Sequence, residues 1–400
     1  MEKLQRIENF EKLGMGMFVH FGLFSVAGKG EWYCFAHGIA MQEYVKLFDK
    51  FKVRKTWAKE LVSTAKKAGA KYITLTTRHH EGFSLFDTCG LNEFDAPHSP
   101  TGRDLVKEFV DECNRQGIVP FFYHTLLDWY NPDYKENFPK YLEYLRASVE
   151  ILCKNYGKIG GLWFDGWWDK KDENWEFDEL YALIRRYQPD AMIINNTGLS
   201  ALGKVGHYEI DSVTFERGKP TKVDQSDKIR AGEMCQVLND HWGYAKEDMN
   251  YKTIPSLLND LIDCRLYNCN FLLNVGPMGD GKIRDMDKAT FTEIGNWIRV
   301  NKKFIYNLRG ADIEAENAKI GTDGKYYYAI INDVAMASDP NVAMAGRVCT
   351  VKIKTDKKIK NLRWLDTNEL VSQEENGVFK AKPFQYGTSR NLRVARFELK

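Results

Sequence analysis

Ile159-Gly-Gly-Leu-Trp-Phe-Asp-Gly-Trp-Trp168 carries a short apolar run into one carboxylate, Asp165, held between glycines and tryptophans. A charge in that position is functional, paired, or the N-cap of a helix. The bulky aromatics and lysines that follow make a poor first helical turn, so the run reads as a strand with a working carboxylate at its end. The same pattern extends in both directions. Short apolar runs at 17–21, 72–76, 119–123, 161–164, 192–195, 212–215, 234–238 and 270–275 are separated by helical stretches at 45–51, 56–68, 103–116, 139–155, 177–187 and 254–268. In the third of these stretches Leu105, Val106, Phe109, Val110 and Cys113 recur at helical spacing, and Gly117 supplies a stop. Eight strands alternating with helices predict an α/β fold, a parallel (β/α)8-like TIM barrel that is irregular in its fifth and sixth units. After about residue 310 short β-prone runs follow one another, at 325–331, 348–353, 362–365 and 392–399. The expected organisation is a catalytic barrel over 1–310 and a small antiparallel β-sandwich over 311–400.

Active residues of such a barrel stand just past the strand C-termini. His20, in Gly16-Met-Phe-Val-His-Phe-Gly22, ends the first strand, and Thr76-Thr-Arg-His-His-Glu-Gly82 brings His79 and His80 to the end of the second. Together these histidines can supply several donors to sugar hydroxyls. They also support a rival reading, a metal-dependent barrel hydrolase using His20, His79 and His80. Against it, adjacent His79 and His80 point in different directions from an extended backbone, and neither an HxH nor an HExxH spacing occurs. No metal and no cofactor is expected. Glu31-Trp32-Tyr33 after the first strand and Tyr123-His-Thr-Leu-Leu-Asp-Trp129 after the third each set an aromatic plate beside a polar group. Two glutamates compete as the acid/base partner of Asp165: Glu216 near the end of the sixth strand and Glu233 at the start of the seventh. Strand polarity favours Glu216. Asn274-Val-Gly-Pro-Met-Gly-Asp-Gly281 has glycines enough to cradle a phosphate but no Walker lysine and no GxGxxG pattern, so it reads as a tight closing turn.

Composition narrows the partners. Lysine plus arginine (57) nearly equals aspartate plus glutamate (55) in a chain of 400 residues, so no strong field draws in nucleic acid or an anionic membrane surface. A neutral substrate fits that balance, and many of the aromatics (13% of residues) cluster near histidines and carboxylates, where flat faces suit sugar rings. The opening Met1-Glu-Lys-Leu-Gln-Arg-Ile-Glu lacks the apolar core of a signal peptide and no later stretch has the length of a membrane span, so a soluble, cytoplasmic protein is expected. Oligomeric state is not read from the sequence. The eight cysteines are scattered and are expected to be buried free thiols.

An ordered set of motifs points further. Phe18-Val-His-Phe-Gly22, Glu31-Trp32-Tyr33, Arg78-His-His-Glu-Gly-Phe83, Arg103-Asp-Leu-Val106, Tyr123 with Leu127-Asp-Trp129, Leu162-Trp-Phe-Asp-Gly166, His241-Trp-Gly-Tyr244 and Leu272-Leu-Asn-Val-Gly-Pro277 together resemble the α-L-fucosidases of glycoside hydrolase family 29. The resemblance runs from about residue 14 to 307. It implies a retaining exo-glycosidase that releases terminal α-L-fucose from fucosylated oligosaccharides or glycoconjugates, with carboxyl groups about 5–5.5 Å apart and a covalent glycosyl intermediate. Carried over by motif, Asp165 is the nucleophile and Glu216 or Glu233 the acid/base. His20, Glu31, Trp32, His79, His80, Tyr123, Trp163 and Trp242 then form the fucose pocket, with the histidines and Glu31 on ring hydroxyls and the aromatics on the ring and its methyl. Burying that C6 methyl against an apolar wall is worth about 1 kcal/mol. The chain departs from the family in one place. Where many relatives carry Asn-Asp-Arg-Trp-Gly after strand five it reads Asn195-Asn-Thr-Gly-Leu199, so an arginine at the nucleophile is replaced by Thr197, and Arg217 is a candidate substitute. The missing arginine makes a catalytically silent fucose-binding protein the second rival.

Overall fold

Alternation along each strand decides what fills the barrel. The computed structural model describes residues 2–199, 201–332, 349–381, 384, 388 and 391–400. Eight parallel strands, β1 (Met15–Val19), β2 (Tyr72–Arg78), β3 (Val119–Thr125), β4 (Gly161–Asp165), β5 (Met192–Asn195), β6 (Ser212–Glu216), β7 (Ala231–Gln236) and β8 (Cys269–Val275), close into a barrel in chain order. Side chains of one parity face inward, and the register stacks them in layers. Phe18 lies level with Thr74 and Asn274, Tyr123 with Trp163, and Thr214 with Glu233. Phe18, Tyr72, Phe121, Tyr123, Trp163, Ile194 and Leu272 share one buried core. Its lower end is stopped by the helix Gln5–Glu11, whose Phe10 ring packs 5.5 Å from Tyr72 and 5.7 Å from Phe121.

The helices form where apolar residues recur every three to four positions. In Leu105–Gln116 the buried residues are Leu105, Val106, Phe109, Val110 and Cys113, the Asp104 side chain accepts from the Lys107 backbone N–H at the N-cap, and Gly117 ends the helix in a left-handed conformation. Among the described residues no helix lies between β5 and β6 or between β6 and β7, which is the expected irregularity of the fifth and sixth units. A buried carboxylate organises that side of the barrel instead. Asp211 Oδ2 accepts from Arg185 Nη2 (2.6 Å), Arg6 Nε (3.0 Å) and the backbone N–H of Ile193 (3.0 Å), tying the start of β6 to β5.

Two compact units make up the chain: residues 1–251 with 270–292, and residues 252–269 with 293–400. The sequence-based cut at 310 follows the onset of β-rich chain, whereas the second unit also takes in the helix Ile254–Leu266. Its strands are β9 (Arg309–Gly310), β10 (Ala315–Glu316), β11 (Lys319–Thr322), β12 (Tyr327–Ile331), β13 (Cys349–Ile353), β14 (Ile359–Trp364), β15 (Gln373–Glu375), β16 (Val378–Ala381) and β17 (Arg393–Leu399). They form two sheets, ordered β10-β13-β16-β15 and β14-β17-β12-β11-β9, with antiparallel pairing. Val351 and Phe379 from one sheet and Ile331, Trp364 and Phe397 from the other share the core of this sandwich. The expected strand at 348–353 begins at Val348, outside the described residues. No disulfide joins any of the eight cysteines; six are buried, but Cys89 is exposed and Cys349 half-buried, so burial was overstated for two of them.

Candidate active site

The inward-facing row reaches the C-terminal mouth of the barrel as His20, Asp165, Asn196, Glu216, Cys235 and Asn274. A pocket opens there with about 420 Å³ between its walls, lined by Phe18, His20, Trp32, His79, His80, Tyr123, Trp163, Asp165, Trp168, Leu199, Glu216, Cys235 and Trp242. A larger cavity, about 1260 Å³ on the same measure, lies at the opposite end beside Phe10 and Val119. The chemistry belongs to the smaller one, because only there do carboxylates and imidazoles converge.

Asp165 ends β4, and the chain must turn at once to keep its carboxylate at the rim. Gly166 makes that turn with φ +95°, and a Cβ there would lie 2.7 Å from the Leu127 Cβ. One carboxylate oxygen, Asp165 Oδ2, accepts from the Tyr123 hydroxyl at 3.1 Å and stands 3.6 Å from His80 Nε2. The other, Oδ1, accepts from Asn196 Nδ2 at 3.2 Å, and the same amide nitrogen donates to Glu216 Oε2 at 2.7 Å. Thr214 Oγ1 donates to Asn196 Oδ1 at 2.8 Å, which fixes the amide with its nitrogen toward the carboxylates. One amide thus joins the two carboxyl groups and keeps their bonded oxygens within about 6 Å of each other, which admits the separation a retaining mechanism needs. Burial, and next the Asp165 charge, push Glu216 up to about 7, against the Asn196 hydrogen bond that pulls it down.

The three histidines all reach the pocket. The sequence reading has His79 and His80 diverging from an extended backbone, but the register slips between Thr76 and Arg78 and the chain then turns, with Gly82 N–H bonded to the His79 carbonyl. The bulge and turn bring both imidazoles inward, ring centroids 4.1 Å apart. Burial holds His20 and His80 well below the usual histidine range and His79 at about 3, so all three are neutral. Their tautomers follow from outer partners. Asn274 Nδ2 donates to the Trp242 carbonyl, so its Oδ1 accepts from His20 Nδ1 at 2.7 Å. Thr125 Oγ1 donates to the Leu127 carbonyl and accepts from His80 Nδ1 at 2.8 Å. Both rings therefore turn an unprotonated Nε2 inward, as acceptors for hydroxyl protons. His79 differs. Its Nδ1 is 3.3 Å from Glu81 Oε2, but among the described residues neither atom has a hydrogen-bond partner, and burial pushes Glu81 up to about 8.

Trp163 forms the floor, stacked on Tyr123 at 5.6 Å and 19°. Its indole N–H donates to Glu233 Oε1 at 2.9 Å, and Glu233 also accepts from the Tyr72 hydroxyl. Glu233 is therefore not brought to the pocket: it lies in mid-strand on β7, one inward position below Cys235, locked under the floor. Glu31 is also outside the lining; its Oε2 accepts from the backbone N–H groups of Trp242 (3.1 Å) and Gly243 (2.8 Å) and sets the Trp242 wall. Arg217 Nη2 donates to the Asp240 carbonyl at 2.5 Å with the guanidinium 5.3 Å above Trp242, so its charge acts near Glu216 without occupying the place beside Asp165. Thr197 turns away, its hydroxyl on the carbonyls of Asn195 and Lys204. Among the described residues no three His, Cys, Asp or Glu side chains stand in metal-holding geometry. Sequence reading missed Asn196, Asn274, Trp168 and Leu199. Strand parity was the available signal for Asn196, which continues the inward series Met192, Ile194.

Comparison with known proteins agrees with this geometry. A family model described as Alpha-L-fucosidase matches residues 1–303. The tissue α-L-fucosidase of Mus musculus is 29% identical over 341 residues, which span 78% of this chain and 73% of that protein. The α-L-fucosidase of Dictyostelium discoideum is 28% identical over 338 residues, spanning 74% and 70%. Among solved structures, α-L-fucosidase isoenzyme 1 from Paenibacillus thiaminolyticus is 29% identical and superposes with a TM-score of 0.83 over 99% of both chains. With three-quarters of its length matched by the family model and a pocket built on two bridged carboxyl groups, the chain belongs to the α-L-fucosidase family.

Proposed function

We propose that this protein hydrolyses terminal α-L-fucosides with retention, using Asp165 as nucleophile and Glu216 as acid/base. The observation that carries the assignment is the Asn196 amide bonded to both carboxyl groups at the pocket. In the first step Asp165 attacks the anomeric carbon while protonated Glu216 gives its proton to the departing glycosidic oxygen. In the second, ionised Glu216 takes a proton from water, which attacks the same carbon and frees Asp165. The raised Glu216 supports the first role, since an acid held near 7 keeps a proton that an ordinary glutamate would lose. His20 and His80 accept hydrogen bonds from the fucose hydroxyls, His79 stands beside them in the pocket wall, and Trp163, Tyr123 and Phe18 face the sugar's ring and methyl. A fucosylated oligosaccharide or glycoconjugate is the substrate. The paired carboxyl groups favour turnover over silent sugar binding, because a lectin has no use for one acid raised by its neighbour.

Variant kinetics test the assignment. Asp165→Ala is expected to lower kcat on an aryl α-L-fucoside by about four orders of magnitude, the scale of losing one member of a catalytic set. Glu216→Ala should spare an activated fucoside far more than a natural one and be rescued by azide. Equal losses on both substrates, or a larger leaving-group dependence in Glu233→Ala, would count against Glu216.

A further inference from the structure

Phe35 stands 67% exposed at the end of a path of rings that leads into the pocket. It stacks nearly parallel on Trp129 (5.8 Å, 18°) and meets Trp32 edge-on (5.4 Å, 85°). Trp32 in turn stacks on Trp168 (5.7 Å, 29°), and Trp32 and Trp168 both line the pocket. Across the mouth Leu199, 40% exposed, lines the other side. These residues come from loops after β1, β3, β4 and β5, so the surface is assembled by the fold and not by one loop.

We propose that Phe35, Trp129 and Trp168 form a leaving-group subsite that takes the C–H face of the pyranose attached to fucose. The inference rests on the fucosidase reading. In that reading the pocket ends below in the Trp163 floor, so the glycosidic oxygen and everything beyond it leave through the mouth, past Trp168 and Leu199. Among the described residues that line the pocket there is no lysine or arginine, and on the Phe35 side a departing sugar meets flat apolar rings, which suits a neutral pyranose whose C–H bonds gather on one face. Rings that served only to anchor loops on the barrel would be covered. Phe35 is not, and its open face continues from the rings that line the pocket.

The test sets two leaving groups against each other. α-L-Fucosyl fluoride has a leaving group too small to touch Phe35, whereas an α-L-fucosyl-N-acetylglucosamine or α-L-fucosyl-galactose disaccharide lays a pyranose at the mouth. Phe35→Ala is expected to lower kcat/KM for the best disaccharide about five- to tenfold, the scale of one ring contact. The fluoride should be unaffected, and Phe35→Tyr should restore the disaccharide. Equal losses on both substrates, or no loss on either, overturn the subsite. So does a loss that tracks a change in sedimentation, since Phe35 then belongs to a contact with a second copy of the chain. A wild-type enzyme that cleaves the fluoride but none of the disaccharides also overturns it while leaving the fucosidase reading intact. If wild type cleaves neither, it is the fucosidase reading that fails.

Discussion

Asn196 joins the two carboxyl groups of the pocket through one amide nitrogen. The amide serves both carboxyl groups, 3.2 Å from Asp165 and 2.7 Å from Glu216, and lowers Glu216 against burial and the Asp165 charge. Without it Glu216 must titrate higher. In wild type the basic limb of the kcat/KM profile should fall near pH 7, where Glu216 loses the proton that the first step needs. Asn196→Ala should move that limb to higher pH and lower kcat/KM about ten- to hundredfold, the range for a buried hydrogen bond to a charged group. A limb that stays in place, measured on a fucoside whose departure requires protonation, would mean that Asn196 does not tune Glu216.

At the scale of elements, the strand ends matter more than the strands. Gly166 turns the chain out of β4 at φ +95°, and an added Cβ would meet the Leu127 Cβ at 2.7 Å and its backbone N at 2.8 Å. Gly166→Ala should cost about 1–3 kcal/mol in backbone strain alone. Because the displaced atoms adjoin Asp165, kcat should fall along with the melting temperature; unchanged values of both would show that the turn relaxes freely. Which ends were legible follows from the same contrast between local and distant causes. At β5 the expected 192–195 matches Met192–Asn195, since the apolar run itself marks the strand. At β7 the expected 234–238 gives way to Ala231–Gln236, because Ala231, Gly232 and Glu233 carry little strand preference and are ordered by pairing with Ser212, Val213 and Thr214 of β6. That shift puts Glu233 under the floor. The convergence of His79 and His80 was likewise hidden, since it depends on a bulge against β3 that no local residue type announces. Asp165 and His20 were legible because each follows an apolar run directly and the parallel barrel brings all such ends to one rim.

At the scale of the whole molecule, the barrel buries two opposed sets of titratable groups, and together they set the pH range in which it is stable. Burial pushes His20, His79, His80 and His124 down, His79 to about 3. It pushes Glu31, Glu81, Glu216 and Glu233 up, Glu81 to about 8 and Glu216 and Glu233 to about 7. A histidine buried neutral binds fewer protons folded than unfolded. Stability from these groups therefore falls as pH drops below the unfolded value of 6.5 toward the depressed folded one. A carboxyl buried protonated binds more protons folded than unfolded, so its contribution is complete below 4.5 and is lost as pH rises through 7 to 8. Between 4.5 and 6.5 the two slopes oppose each other. Below that window only the histidine slope remains, and above it only the glutamate slope. The melting temperature should accordingly be nearly flat across those two pH units and fall on both sides. Glu81→Gln, which keeps a neutral side chain of the same shape beside His79, should shallow the alkaline fall and leave the acid one unchanged. A calorimetric series in which the melting temperature climbs steadily from pH 6.5 to 8 would contradict a protonated glutamate set. The alkaline loss of stability and the loss of the Glu216 proton then share one origin, because the burial that readies the acid for catalysis is the same burial that makes its ionised form costly to the fold.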